Sequence, residues 1–201
     1  MQNCHLLFCP ETREAAIMDA GDEPERILQA LKDNQLTPVM LINTHCHVDH
    51  VSAVARLQEL LNIPFYAHPG EEPILEGLVA SQSYFGFGDG KTPKPEYILK
   101  EGLTVPLGKG TIQVLETPGH TPGGVCLLCG DDLFSGDTLF AGSIGRTDLP
   151  WGDSEQLMDT LKNKVMGFED HWTVHPGHGP DTTMVREKQS NPFLAGFTGA
   201  C

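Results

Sequence analysis

No apolar run in this 201-residue chain approaches the ~18 residues that a membrane span requires. The opening residues, Met1-Gln2-Asn3-Cys4-His5, lack the basic start and apolar stretch of a signal peptide, so a cytosolic protein without membrane contact is expected. Basic residues are scarce: 13 Lys and Arg stand against 27 Asp and Glu, a formal net charge of −14. They are scattered and form no stripe able to track a phosphate backbone, which argues against a nucleic-acid partner. A disulfide framework is also missing. Cys4, Cys9, Cys46, Cys126, Cys129 and Cys201 have no repeating spacing, and cytosolic thiols stay reduced. Cys126-Leu127-Leu128-Cys129 lies inside a strand-like run, where the two thiols face opposite sides and serve as small buried hydrophobes. Low-complexity stretches, linkers and short repeats are absent too, so residues 1–201 read as one domain. A hydrophobic fraction of 39% is enough for a core without covalent staples.

What is present alternates between the two hydrophobic periods. Strands are expected at 4–9, 15–20, 39–43, 65–67, 103–106, 111–116, 125–129, 132–135 and 172–174. Helices are expected at 23–34, 51–62, 71–80 and 154–165, the last capped by Ser154. Residues 81–95, with Gly and Pro around Tyr84, Phe85 and Phe87, read as a loop. Strands alternate with helices, run as a meander, then alternate again. That order fits two packed sheets with helices outside, a four-layer α/β arrangement.

Thr44-His45-Cys46-His47-Val48-Asp49-His50 carries the chemistry. Four metal-binding side chains follow directly on the apolar run Val39-Met40-Leu41-Ile42. Imidazole and carboxylate suit Zn, Fe and Mn. If the strand continued, His45, His47 and Asp49 would share one face and His50 the other, whereas a turn at Asp49 would return His50 to the same pocket. One loop can then seed a two-metal site. The bland alternative is a surface His cluster with Asp49 as a helix N-cap.

Three later segments repeat one design, in which a strand ends, Gly and Pro break it, and a metal-capable side chain stands at the break. These are Thr117-Pro118-Gly119-His120-Thr121-Pro122-Gly123-Gly124, Ser135-Gly136-Asp137-Thr138 and His175-Pro176-Gly177-His178-Gly179-Pro180. Taken singly, Asp137 is also a normal turn residue and His120 a normal strand-end His. Together with the first cluster they make five His and two carboxylates at strand ends, all compatible with one edge of a sheet sandwich.

On these residues the chain resembles the metallo-β-lactamase superfamily over essentially its whole length. Ser135-Gly136-Asp137-Thr138-Leu139-Phe140, Gly142-Ser143-Ile144-Gly145-Arg146-Thr147-Asp148 and the His175–Pro180 segment are most similar to short bacterial type II glyoxalases, the single-domain hydroxyacylglutathione hydrolases. The resemblance implies an α/β fold, a four-layer αββα sandwich, and two divalent ions, zinc or else iron or manganese. It assigns His45, His47 and His120 to one ion, Asp49, His50 and His178 to the other, and Asp137 as the bridge. Asp49 and Asp137 are then the catalytic carboxylates. A hydroxide shared by the ions attacks the carbonyl of a small-molecule thioester such as S-D-lactoylglutathione.

The resemblance also suggests supporting roles. Asp19 accepts an N–H from a ligand imidazole or serves as a turn carboxylate. Arg146 stands where larger relatives place a cation for a glutathione carboxylate, or is simply solvated. Tyr84, Phe85 and Phe87 form a lid over the acyl group or pack as an ordinary loop. His5 and His68 are expected to be structural, and His175 at most supports His178. The chain ends about twenty residues after His178, so the C-terminal helical domain that binds glutathione in larger relatives is not expected, and a broader thioester range follows. Two other activities share the ligand set. A mono-iron persulfide dioxygenase would use only His45, His120 and Asp137, and a lactone, β-lactam or ester hydrolase would use both ions. Oligomeric state is not legible in the sequence.

Overall fold

Period-two alternation in the buried strands sets the layering. In a computed structural model that describes residues 2–197, β1 (His5–Phe8), β2 (Glu14–Met18), β3 (Thr37–Ile42), β4 (Phe65–Ala67) and β5 (Tyr97–Ile98) form one sheet in that order. Met1 and Cys201 fall outside the described residues. Only β1–β2 is antiparallel; the remaining pairs are parallel, which requires crossover helices. The second sheet begins with the antiparallel meander β6 (Thr104–Leu107), β7 (Gly110–Glu116), β8 (Val125–Cys129) and β9 (Asp132–Gly136). A short hairpin, β10 (Leu139–Phe140) and β11 (Ser143–Ile144), follows. Then β12 (Thr173–Pro176) joins β9 in parallel and β13 (Thr182–Thr183) closes the edge.

Ala16 and Met18 of β2 face Val114, Val125 and Leu127 of the second sheet, forming a core between the sheets. Their neighbours Ala15 and Ile17 face the other way, onto α1 (Pro24–Asp33) and α3 (Val54–Leu61) through Ile27, Leu31, Val54 and Leu57. The same alternation sends Cys126 and Leu128 outward, onto Leu157 and Leu161 of α6 (Ser154–Asn163). Each sheet is therefore buried on both faces, which is why its strands read as nearly continuous apolar runs. The result is the αββα sandwich that the element order implied. Among the described residues no helix is long and apolar enough to cross a membrane.

Several boundaries differ from expectation. The strand entering the His cluster stops at Ile42, and α2 (Val48–Val51) turns the chain instead. The helix expected over 71–80 is split at Gly77 into α4 (Glu72–Glu76) and α5 (Leu78–Phe85). α5 runs through Tyr84 and Phe85, which the loop reading had excluded. Nothing before Gly86, left-handed at φ 75°, breaks the backbone hydrogen bonding. Asp153, not Ser154, caps α6, accepting from the Gln156 N–H at 3.0 Å. The short strands β5, β10, β11 and β13 and the helix α7 (Met184–Ser190) carry too few periodic residues to be read in advance.

Candidate metal centre

The loop that leaves β3 is held at every peptide that matters. The Asn43 side-chain amide donates to the carbonyls of His45 (3.1 Å) and His50 (2.9 Å). The buried Asp19 carboxylate accepts from the Thr44 N–H at 2.8 Å and the Thr44 hydroxyl at 2.7 Å. The buried Glu71 carboxylate accepts from the Cys46 N–H at 2.6 Å and from Gly123 N–H at 2.9 Å, tying this loop to the one that carries His120. The one helical turn of α2 then brings His50 back beside His45, with ring centroids 4.0 Å apart. His47 occupies the N-cap position and Asp49 lies within the first turn, so Asp49 does not cap the helix.

The remaining side chains arrive from the ends of β7, β9 and β12. Parallel pairing sets Gly136 beside Pro176 and so places Asp137 against the Gly177–His178 turn. A Cβ on Gly177 would stand 2.3 Å from Asp137 Oδ1 and 2.6 Å from the His50 ring, so only hydrogen fits there. Val125 N–H donates to the Thr44 carbonyl at 2.9 Å, joining the two sheets at the edge where all seven residues meet.

Three groups of potential ligand atoms result, each within 4.8 Å: His45, His47 and His120; His45, His50 and Asp137; and Asp49, His50 and His178. His47 Nδ1 lies 2.9 Å from His120 Nε2, and His50 Nε2 lies 3.4 Å from His178 Nε2. Asp137 stands between the groups. Its Oδ1 is 3.4 Å from His50 Nε2, and its Oδ2 is 3.5 Å from both His120 Nε2 and His178 Nε2. Asp49 Oδ2 is 3.1 Å from His178 Nε2.

The outer hydrogen bonds turn the ring lone pairs inward. His120 Nδ1 donates to the Arg146 carbonyl at 2.7 Å, and His50 Nδ1 donates to Asp19 Oδ2 at 3.1 Å. The Thr44 hydroxyl, whose proton is committed to Asp19, accepts from His45 Nδ1 at 3.2 Å. In each case Nε2 is left facing the cluster, the arrangement that prepares a metal ligand. Burial first, and neighbouring imidazoles second, keep His45 neutral and lower His47 to about 4. Burial lowers His120 as well. Burial works against a charged His50, yet its bonds to Asp137 and Asp19 raise it to about 10. The contact with Asp49 raises His178. Burial opposes ionisation of Asp49 and Asp137, but the facing imidazoles hold both carboxyls below the usual range.

These residues fit a metal pair. His45 Nε2 is buried without a hydrogen-bond partner, and buried Asp137 Oδ1 has only a long 3.4 Å contact with His50 Nε2, a costly state that a cation beside them relieves. All donors are imidazole nitrogen or carboxylate oxygen, which Zn, Fe and Mn accept.

The other expected site residues divide. Phe85, Phe87 and Arg146 line a cavity of about 720 Å³ over the cluster. Tyr84 does not line it: at 83% exposure it points to solvent from α5, because neighbouring residues on a helix face different ways. The Arg146 guanidinium is paired with Asp148 through two 2.7 Å bonds. Asp19 reaches His50, as a residue supporting a ligand would. His68 bonds Glu116, and His5 packs on Phe134. His175 bonds Asp132 and Asp181, outside the cluster. Sequence reading missed Asn43 and Glu71. Asn43 had a signal, a polar residue ending an apolar strand just before the cluster. Glu71 had none, since its burial depends on loops brought together from far apart.

A family model described as the metallo-beta-lactamase superfamily matches residues 1–178. The probable metallo-hydrolase YqgX of Bacillus subtilis is 37% identical over 98% of this chain and 93% of its own length. The hydroxyacylglutathione hydrolase GloC of Haemophilus influenzae is 36% identical over 96% of this chain and 92% of its own. The solved structure of TTHA1623 in a di-iron-bound form is 41% identical, with a TM-score of 0.87 and coverage of 96% of both chains. By sequence, fold and a His-rich centre at one end of the sandwich, this chain belongs to the metallo-beta-lactamase superfamily.

Proposed function

We propose that the chain is a dinuclear metal-dependent thioester hydrolase of the hydroxyacylglutathione hydrolase kind. The observation that carries this reading is the second ligand group. Asp49, His50 and His178 are assembled as fully as His45, His47 and His120, with Asp137 touching both. A mono-iron site would leave Asp49 and His178 without a task. The relation to GloC and to the di-iron form of TTHA1623 supports the same choice.

His45, His47 and His120 would hold one divalent ion, and Asp49, His50 and His178 the other, with Asp137 shared. When bound, the pair supplies Lewis-acid polarisation of a carbonyl and a water acidified to about neutral pKa. The chain's own residues do the rest. Asp49 and Asp137, held ionised by the facing imidazoles, act only as acceptors and so orient the water rather than store its proton. Ile74, Leu78 and Phe140 give the cavity over the cluster an apolar lining. Departing thiolate is weakly basic and requires no dedicated acid.

Ion uptake is expected to release protons. Without an ion, His50 is charged up to about pH 10, with Nε2–H toward Asp137. Its raised pKa means that the Asp19–His50–Asp137 contact stabilises the metal-free chain below pH 6.5 and weakens as pH rises through about 10. A ligating Nε2 must shed its proton, so a pH-stat at pH 8 should record at least one proton released as the second ion binds, one from His50 and any further one from the acidified water. Uptake with no proton release would remove His50 from the ligand set.

Elemental analysis combined with a substrate panel tests the function. Close to two ions per chain and oxygen-independent hydrolysis of S-D-lactoylglutathione or another thioester are expected. One iron per chain, with oxygen uptake on glutathione persulfide and no thioester turnover, would overturn the reading. Turnover confined to lactones, esters or β-lactams would overturn its thioester part.

A further inference from the structure

Two cavities meet at the cluster, and they differ in kind. The 720 Å³ cavity is lined by Phe85 of α5, Phe140, Leu149 and Trp151. Its single cation, Arg146, is already engaged by Asp148. On the far side of Asp49 and His178 lies a second cavity of about 860 Å³. Asp22, Glu23 and Asp181 line it, and its Arg26 is tied to Glu23 at 3.0 Å. One side is apolar, and the other carries surplus negative charge.

Trp151 sharpens the contrast. Its backbone is left-handed at φ 72°, a conformation that bulky side chains rarely adopt. The turn is fixed on both sides, by Gly152 N–H to the Leu149 carbonyl at 3.0 Å and Asp153 N–H to the Gly119 carbonyl at 2.8 Å. Trp151 nevertheless remains 60% exposed, as does Phe85, which lines the same cavity. Strain held by a rigid turn, for a ring that returns little packing, marks a functional position. Two exposed aromatic rings facing one cavity mark a site for apolar matter.

Resting on the thioesterase reading above, we propose that one half of the thioester is an uncharged apolar group, an aryl or short alkyl chain, seated in the cavity that Phe85 and Trp151 line. A thiol that bears carboxylates, such as glutathione, is then the poorer half. Apart from the metal centre, the first cavity offers a carboxylate only Arg146, already paired with Asp148, and the acidic lining of the second cavity opposes it. The reaction is plain hydrolysis: water oxygen bonds to the carbonyl carbon, the C–S bond breaks, and a carboxylic acid and a thiol leave without redox change.

The test uses the zinc-loaded full chain and two readouts. In turnover, the neutral S-phenylacetyl-N-acetylcysteamine should exceed S-D-lactoylglutathione in kcat/KM by at least about tenfold. Trp151→Gly suits the left-handed backbone, so folding is not at risk. It should raise the KM for the phenylacetyl thioester about tenfold while kcat falls far less, and Trp151→Phe should restore most of the loss. In binding, the ketone analogue with CH₂ in place of sulfur should quench Trp151 fluorescence. Trp172, the chain's other tryptophan, packs on Phe168 and serves as the constant background. Preference for S-D-lactoylglutathione, an unchanged KM in Trp151→Gly, or equal quenching by S-methylglutathione would overturn the proposal. If the analogue quenches but no thioester is cleaved, the hydrolase reading falls and the apolar site stands.

Discussion

Replacing Asp137 by alanine is expected to lower thioester turnover about a hundred- to a thousandfold, the scale seen when one electrostatic group of a catalytic centre is removed. It should also leave the protein with fewer than two ions. Asp137 lies within 3.5 Å of Nε2 atoms from both proposed ligand groups, touching His120 on one side and His50 and His178 on the other. Its carboxylate is 11% exposed, so water cannot take its place freely. Without it, His50 keeps Asp19 as its one remaining carboxylate partner, and two cations would face each other with no charge between them. Asp137→Asn, of equal shape but neutral, separates the two contributions. If charge is the main term, the amide variant should resemble alanine in turnover while keeping more of the first ion. Wild-type turnover in either variant, with both ions present, would refute a bridging role.

The second large effect is expected at Asp19, which touches no proposed substrate position. Its carboxylate accepts three bonds, from Thr44 N–H, the Thr44 hydroxyl and His50 Nδ1. Asp19→Asn preserves volume, and asparagine tolerates the left-handed backbone at φ 54°. The amide, however, brings a donor where an acceptor stood. If its oxygen keeps the Thr44 N–H, its NH₂ faces the Thr44 hydroxyl and His50 Nδ1. His50 then holds its proton on Nε2, the atom turned toward the cluster, and can no longer ligate. The expected outcome is a 10- to 100-fold weaker second ion, roughly the effect of losing such a support, with the first ion nearly unaffected. Competition titration against a coloured chelator reads the two affinities separately. Equal weakening of both ions would mean that Asp19 acts on the whole loop through Thr44 rather than on the His50 tautomer.

How much of this was legible in advance depended on range. The ligand types could be read because a metal site needs uncommon side chains: His45 and His47 follow closely on an apolar strand, and His120, Asp137 and His178 stand where Gly and Pro end others. The two-sheet layering could be read because Ala15–Ala16–Ile17–Met18 and Cys126–Leu127–Leu128 are apolar at every position, the mark of strands buried on both faces. The path of the chain through the cluster was less legible. Propensity allows His45–His50 to extend or to turn, and the helical turn is selected by carboxylates from two distant segments, Asp19 and Glu71. α5 was hidden because Tyr84 and Phe85 have weak helix preference, which packing of Leu78 and the Gly86 cap override.

Sequence alone thus determined the donor chemistry, the superfamily resemblance and the alternation that makes a sandwich, because these depend on residue type and local period. Tertiary structure decided which donors share a centre, which ring nitrogen each histidine turns inward, and that the cavity beyond them is walled by Phe85 and Trp151. Those features depend on contacts between segments up to about 130 residues apart, such as His50 with His178. No local pattern encodes the direction in which a side chain meets a partner that far along the chain.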